Sequence, residues 1–356
     1  MRIMSRSLAA SAALAVVCAL AQPIASADIV NQPFASPGRD GVTIDTQAAL
    51  NPDTYQNPAE PQSVQPGNMV TFGDSIMANS TAGDVVFSMA TKGVAKQDPK
   101  NRQIISEINP NINSHGCAQG SPSIPKDVSA QLGVPLNDYS CPGAVLYTAN
   151  QGLMTISQQV DNAISDGALN DTTKYVLIQG GYNDIYNNYL TLTGEEANDE
   201  AIAAEIGQST QRDLFARAID DVINRVRVSA PHAKISLLGY HTITDNTPAG
   251  WQCIYHIGDG RENENVWNAN GAFPVFWDTL GEVHVQKWMS EAASRNGVQF
   301  VDQRDFSAGH GECAAPQDRW VAGILLDTTT GSHNLALHLT DTGVHALSGH
   351  IVEQIR

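Results

Sequence analysis

Short runs of apolar residues recur along the chain from Met69 onward, and stretches with helical spacing lie between them. Runs of this length are typical of buried strands and are too short for stable helices. Five runs have this form: Met69 to Phe72, Val134 to Tyr139, Tyr175 to Gln179, Ile235 to Leu238 and Val298 to Val301. Strands that alternate with helices indicate parallel β-α-β units. The pattern therefore predicts a three-layer α/β/α sandwich around a parallel sheet of about five strands.

Three stretches between these runs have helical features. One predicted helix face carries Phe215, Ile219, Val222 and Val226, and another carries Leu280, Val283 and Met289. Ser121-Pro122 predicts a helix start before Val128 and Leu132. The acidic stretch 187–213 and the Gly- and Asn-rich stretch 241–273 interrupt the alternation. We interpret both as insertions on the rim of the sheet.

The start of the chain has the pattern of an export signal. Two arginines precede the uncharged apolar run Leu8 to Ala21, and the small residues Ala25-Ser26-Ala27 follow it. The run is shorter than the roughly 20 residues needed to span a bilayer. The sequence therefore predicts a signal peptide over 1–27, cleaved near Ala27, and a product that is secreted or held in the cell envelope.

A proline-rich segment without periodicity, 28–66, predicts an extended arm before a globular domain at 67–356. Hydrophobic residues make up 42% of the 356 residues and charged residues 16%, which excludes a disordered chain. The net charge of −17 argues against a nucleic-acid partner and an anionic membrane surface. No later segment is apolar enough to span a membrane, and we expect a monomer.

Cleavage at Ala27 removes Cys18 and leaves four cysteines, and an even number in an exported chain indicates two disulfides. Three pairings are possible. Cys117–Cys141 with Cys253–Cys313 is favoured, because each pair brackets one loop-rich stretch. A zinc site is the rival interpretation, but no two of these cysteines have C-x-x-C spacing. We expect neither a metal nor an organic cofactor.

Polar motifs follow three of the predicted strands, and a fourth lies near the C-terminus. They are Gly73-Asp74-Ser75, Cys141-Pro142-Gly143, Gly180-Gly181-Tyr182-Asn183-Asp184 and Leu337-His338-Leu339-Thr340-Asp341-Thr342-Gly343. Ligands of open parallel sheets bind at the carboxyl ends of the strands. Each motif alone is a weak signal, but four in this order indicate one shared site.

These motifs resemble the conserved blocks of the SGNH hydrolases, also called GDSL esterases and lipases. Gly73-Asp74-Ser75 matches the first block, Gly143 the second and Gly181-Tyr182-Asn183-Asp184 the third. His338 to Gly343 matches the last block, with Leu339 at the usual proline. The resemblance spans roughly 68–356. It implies a flavodoxin-like fold, ester hydrolysis without a cofactor, and the secreted bacterial branch with disulfide-stapled loops.

The residue types suit acyl transfer. A serine hydroxyl becomes nucleophilic when a base takes its proton, and Ser75 with His338 supplies that pair. Donors for the oxyanion would be the N–H groups of Ser75 and Gly143 and the side-chain amide of Asn183. The expected substrate is an ester of a lipid, a glycolipid or an acylated glycan. Two alternatives stay open: an acyltransferase on cell-envelope glycolipids, and a non-catalytic binding module on an esterase scaffold.

One position departs from the family pattern. Members usually have Asp three residues before the catalytic histidine, and Leu335 stands there. The favoured interpretation is that the Leu335 backbone carbonyl orients the imidazole, as a carbonyl does in some secreted bacterial members. The alternative is a carboxylate from Asp341 or Asp327. Because Asp341 stands at an expected helix start, N-capping is its favoured role.

Overall fold

The computed structural model describes residues 63–97, 99–148, 154–185, 209–244, 251–253, 255–256, 272–274, 276–323, 326–327 and 332–356. All of them belong to the unit Glu60–Arg356. The predicted signal peptide and the predicted arm up to residue 62 lie outside the described residues. So do residues 187–208 of the predicted acidic insertion and most of 241–273.

In the described part of the chain, five strands form the central sheet and four others, of two or three residues each, lie outside it. In chain order they are β1 (Met69–Phe72), β2 (Leu136–Asp138), β3 (Tyr175–Ile178), β4 (Lys234–Leu238), β5 (Trp251–Cys253), β6 (Tyr255–His256), β7 (Ala272–Pro274), β8 (Gln299–Val301) and β9 (Leu326–Asp327). The sheet has the order β2-β1-β3-β4-β8, and every neighbouring pair is parallel. This is the flavodoxin-like order, and all five predicted strands are confirmed.

Nine helices accompany the strands in the described residues. They are α1 (Ser75–Ala78), α2 (Ala82–Gln97), α3 (Pro99–Ile108), α4 (Ile124–Leu132), α5 (Ile156–Ser165), α6 (Ser209–Ser229), α7 (Phe276–Asn296), α8 (Gln303–Phe306) and α9 (Asp341–Ile355). One helical layer is formed by α5, α6 and α7, and α4 packs against α9 in the other. Strand β1 is buried at all four positions between them. The three-layer sandwich is confirmed.

Local sequence explains where several helices begin and which face they bury. The predicted face of α6 is confirmed, since Phe215, Ile219, Val222 and Val226 are all buried. The predicted face of α7 is wrong at Val283, which is 41% exposed, because the buried stripe runs through Val285, Trp288, Met289 and Ala292. The predicted start of α4 is two residues early: Ser123 is the N-cap, and Pro125 stands in the first turn.

Two short ladders and two disulfides complete the described structure outside the central sheet. Strand β5 pairs antiparallel with β7, and β6 pairs parallel with β9. Both predicted disulfides, Cys117–Cys141 and Cys253–Cys313, are present.

Helix α6 begins at Ser209, so the predicted acidic insertion ends a few residues before its predicted boundary at 213. None of the helices in the described part of the chain has the length and apolarity to cross a membrane.

Removing the first disulfide should destabilise the domain. Cys117 and Cys141 are 24 residues apart, and closing a loop of that length stabilises the folded state by about 3 kcal/mol in the chain-entropy model. We expect the double variant Cys117→Ser/Cys141→Ser to lose about that much free energy of unfolding in urea titrations. Cys253→Ser/Cys313→Ser, with a separation of 60, is the comparison and should lose somewhat more. A loss below about 1 kcal/mol in both variants would contradict the expectation.

Candidate active site

The turn after β1 is built around Gly73. Its N–H donates to Gln159 Oε1 at 2.9 Å, and its carbonyl accepts from Gln159 Nε2 at 2.8 Å. A Cβ at this position would lie 2.4 Å from Met77 Cγ, so a larger residue does not fit. The glycine therefore lets the chain reverse directly from the strand into α1.

Asp74 supports the turn and does not face solvent. It is the N-cap of α1 and accepts from the Ile76 N–H at 2.9 Å. Its other oxygen accepts from the Tyr240 hydroxyl at 2.5 Å. Burial raises the pKa of Asp74 to about 6, and the two hydrogen bonds lower it in part. This carboxylate therefore joins the carboxyl end of β1 to that of β4.

Ser75 is the first residue of α1 and is half-buried. The N–H groups of a helix's first turn have no partner within the helix. The Ile76 N–H donates to Asp74. The Ser75 N–H lies one residue earlier in the chain. The hydroxyl and the N–H group of Ser75 therefore both belong to the first residue of the helix.

Gly143 and Asn183 are brought side by side. Gly143 has φ 74°, in the left-handed region that favours glycine. Asn183 Nδ2 donates to the carbonyl of Ala144 at 2.9 Å, next to Gly143 in the chain. An amide nitrogen carries two hydrogens, so this bond leaves the second hydrogen of Asn183 for another acceptor.

Asp184, the next residue after Asn183, holds the loop that follows Gly143. Its carboxylate accepts from the N–H groups of Leu146, Tyr147 and Thr148 at 2.7, 2.7 and 2.6 Å. Burial raises the pKa of Asp184, and these bonds lower it in part. The third sequence block therefore holds the loop of the second block through its own carboxylate.

His338 is held by a backbone carbonyl, but not by the one that the sequence predicted. Its Nδ1 lies 2.7 Å from the Ala336 carbonyl oxygen. The Leu335 carbonyl instead accepts from the His338 backbone N–H at 3.2 Å, so the prediction for Leu335 is wrong. The reason is the left-handed turn at Leu337, φ 62°, which folds Ala336 back toward the ring.

The histidine segment is fixed from its other side by Ala322. The Ala322 N–H donates to the His338 carbonyl at 2.9 Å, and the Leu337 N–H donates to the Ala322 carbonyl at 3.1 Å. His338 Nε2 is buried and has no hydrogen-bond partner, so no bond joins it to Ser75 in this structure. Burial lowers the pKa of His338 to about 4, and the bond to the Ala336 carbonyl raises it in part.

The two candidate carboxylates have other surroundings. Asp327 is buried beside Arg319, with the side chains 3.4 Å apart, and accepts from the Gly323 N–H at 3.2 Å. Asp341 is the first residue of α9, whereas Thr340 is the N-cap and accepts from the Gly343 N–H at 3.1 Å. The predicted N-capping role of Asp341 is therefore wrong by one residue. Neither carboxylate has a hydrogen bond to His338, since Ala336 occupies Nδ1 and Nε2 has no partner.

Three residues near the site were not predicted from the sequence. Gln159 lies in α5 and bonds Gly73, and Tyr240 follows β4 and bonds Asp74. His241 is buried, and neither of its ring nitrogens has a hydrogen-bond partner. Burial, together with the like charge of His338, lowers the pKa of His241 to about 3. The only sequence signal for Tyr240 and His241 was their place just after a predicted strand.

All four sequence blocks thus meet at the carboxyl edge of the sheet. Asn334, four residues before the histidine, donates to the carbonyl of Asn79 at the end of α1, so the histidine segment meets the serine helix. The site combines a hydroxyl, a half-buried imidazole whose Nε2 is buried, and three N–H donors. That set is what acyl transfer from an ester requires.

Comparison with known proteins gives one family. The model of the GDSL-like lipase/acylhydrolase family matches residues 71–346. Lipase 2 of Streptomyces coelicolor is 24% identical over 311 residues, which cover 85% of this chain and 90% of that protein.

Two solved structures are also similar. Phospholipase A1 from Streptomyces albidoflavus NA297 has a TM-score of 0.47 at 17% identity, covering 82% of this chain and 100% of that one. The extracellular lipase from Streptomyces rimosus has a TM-score of 0.47 at 18% identity, covering 81% and 99%. The family model, which spans most of the domain and all four blocks, carries the assignment. This chain belongs to the GDSL-like lipase/acylhydrolase family, and it is a carboxylic ester hydrolase.

Proposed function

We propose that the chain is an exported serine esterase that works through an acyl-Ser75 intermediate with His338 as its general base. The observation that carries this proposal is the bond from His338 Nδ1 to the Ala336 carbonyl, 2.7 Å long. It fixes the tautomer with the proton on Nδ1, because a carbonyl oxygen only accepts. Nε2 is then left with a lone pair and no other partner, as a base requires.

The reaction follows from these positions. As Ser75 Oγ attacks the ester carbonyl carbon, Nε2 of His338 takes the hydroxyl proton and the carbonyl oxygen becomes an oxyanion. The N–H groups of Ser75 and Gly143 and the free amide hydrogen of Asn183 stabilise that charge, each by about 2.7–4 kcal/mol. Collapse breaks the ester bond, and the leaving alcohol takes the proton from His338. Water then repeats the same steps on the acyl-serine.

A neutral carbonyl in place of a carboxylate changes the electrostatics of the base. The Ala336 oxygen orients the ring and accepts its proton, but it adds no negative charge to stabilise the imidazolium. Burial of the ring also disfavours the charged form. We infer that the imidazolium is stabilised chiefly by the oxyanion that forms opposite it in the transition state.

The proposed substrates are esters of lipids, glycolipids or acylated glycans. The name of the relative Lipase 2 supports lipid esters among these.

The proposed location is outside the cytoplasm after cleavage near Ala27, with the domain at 67–356 as the active part. The disulfides Cys117–Cys141 and Cys253–Cys313 support an oxidising compartment.

Replacing the nucleophile should abolish turnover without unfolding the protein. Ser75→Ala should lower kcat for p-nitrophenyl acetate by several orders of magnitude, on the order of 10⁶ in the comparable serine hydrolase case. A fluorophosphonate probe should label the wild type at Ser75, as peptide mapping would show. The matched control is Ser80→Ala, since the Ser80 hydroxyl is buried without a hydrogen bond and takes no part in the reaction. Undiminished turnover in folded Ser75→Ala would refute the assignment.

The acid limb of the pH profile should lie well below the usual histidine range. The neutral form of His338 is the base, and burial keeps it neutral until the pH falls to about 4. We therefore expect kcat/KM to be level from neutral pH down to about 5 and to be lost as the pH falls through about 4, against about 6.5 for an exposed histidine.

Circular dichroism at each pH is the control for folding. Asp74, with a pKa of about 6, is the other group that titrates beside the serine. Asp74→Asn removes that titration, so any limb near pH 6 that disappears in this variant belongs to Asp74. A midpoint near 6.5 that persists in Asp74→Asn would contradict the burial of the base.

Removing either candidate carboxylate should leave the chemistry intact. Asp341→Asn should keep kcat within about twofold and lower stability by about 0.3–1 kcal/mol, since it removes a negative charge from the first turn of α9. Asp327→Asn should lower the melting temperature further, because buried Arg319 loses the negative charge of Asp327 beside it. Turnover of its folded fraction should be normal. An orienting carboxylate would instead cost about 10⁴ in kcat when changed to Asn.

A further inference from the structure

Asn334 connects the histidine segment to the helix that begins at the serine. Its Nδ2 donates to the Asn79 carbonyl at 2.6 Å, and the Pro122 carbonyl lies 3.4 Å from the same nitrogen. Both acceptors are backbone oxygens, so the contact needs a donor at this position of the side chain. A hydrophobic side chain of similar size could not make this hydrogen bond.

Asn79, in turn, is bonded directly to the serine. It is the C-cap of α1, with φ 41°, and its N–H donates to the Ser75 carbonyl at 2.8 Å. It is fully buried, and its side-chain Nδ2 donates to the Pro122 carbonyl at 2.9 Å. Two hydrogen bonds in series therefore run from the backbone of Ser75 through Asn79 to Asn334.

The junction is closed to other side chains. The Gly120 N–H donates to the Ala78 carbonyl at 2.7 Å, which draws that backbone against the end of α1. A Cβ on Gly120 would lie 1.8 Å from the Asn79 oxygen and 2.7 Å from Asn334 Nδ2. The Asn79–Asn334 contact is therefore tightly packed as well as hydrogen-bonded.

We propose that Asn334 is a positioning residue that sets the distance between His338 and the Ser75 hydroxyl. The proposal rests on the proposed function of those two residues. Ala322 holds the backbone of Leu337 and His338 from one side, and Asn334 holds the same segment from the side of the serine. Without the bond from Asn334, we expect the imidazole to keep its bond to Ala336 but to shift relative to the Ser75 hydroxyl. Misplacing a reacting group by about 1 Å costs about 10²-fold in rate.

Two variants test the anchor. Asn334→Ala removes the side chain, and Asn334→Asp keeps its size but replaces the donor with an acceptor that faces two carbonyl oxygens. Both should lower kcat for p-nitrophenyl acetate by 10- to 100-fold, with KM within about twofold. The matched control is Asn109→Ala, which removes a similar bond, Asn109 Nδ2 to Asp84 Oδ1 at 2.8 Å, away from the site. It should shift the melting temperature comparably and leave kcat unchanged.

A double variant separates positioning from general damage. In the His338→Ala background, adding Asn334→Ala should change the residual rate by less than twofold, because the effect of Asn334 acts through the imidazole. An equal loss in both backgrounds would overturn the proposal and make Asn334 a residue of the fold. So would normal kcat in folded Asn334→Ala, or failure of both Asn334 variants to fold. If His338→Ala alone left turnover unchanged, the proposed function itself would fail, and the two failures are thereby distinguished.

Discussion

The geometry of the site depends on the hydrogen bonds that the buried carboxylate of Asp184 accepts from the backbone. Backbone N–H groups that are buried at a sheet edge must be paired, and an irregular loop cannot pair them as a strand does. Asp184 supplies the acceptor for three successive N–H groups, from Leu146 to Thr148. Its neighbour Asn183 bonds the Ala144 carbonyl. These bonds consequently fix the position of the Gly143 N–H relative to the Asn183 side-chain amide.

Asp74 plays the corresponding part on the serine side. It caps α1 and accepts from the Tyr240 hydroxyl, so a hydrogen bond joins the loop after β1 to the loop after β4. The Cys117–Cys141 disulfide adds a covalent link next to the loop of Gly143, and the Cys141 N–H donates to the Gly73 carbonyl at 3.0 Å. The loops that carry Ser75 and Gly143 are therefore joined to each other and to the loop after β4 by buried contacts at the edge of the parallel sheet.

The groups that hold His338 by hydrogen bonds are neutral. Ala336 and Ala322 contact His338 through backbone atoms, and His241 lies buried without a hydrogen bond. A neighbouring carboxylate would raise the pKa of the imidazole, and none is bonded to it. Burial then dominates and lowers the pKa of His338 to about 4. The consequence is an imidazole that stays neutral in mildly acidic surroundings, where an exposed histidine would be charged.

Most of the fold and the positions of the four polar motifs were predictable because they depend on local sequence. Short apolar runs determine buried strands, and the polar residues that follow them must lie at one edge of a parallel sheet, so Ser75, Gly143 and Asn183 could be placed in advance. The two disulfides followed from four cysteines that bracket two loop-rich stretches. The α7 face could not be read in the same way, because Val283 has helical spacing but points away from the layer.

The residues that hold the site in place were decided by tertiary structure. Asp74 and Tyr240 are 166 residues apart, and Asn79 and Asn334 are 255 apart, so no local pattern relates them. Whether Leu335 or Ala336 orients the histidine depends on one backbone angle, at Leu337, which is stabilised by bonds to Ala322. The sequence by itself determined which side chains are brought to the carboxyl edge of the sheet. Tertiary structure decided which backbone and side-chain atoms hold them, because partners far apart in the chain meet only in the folded protein.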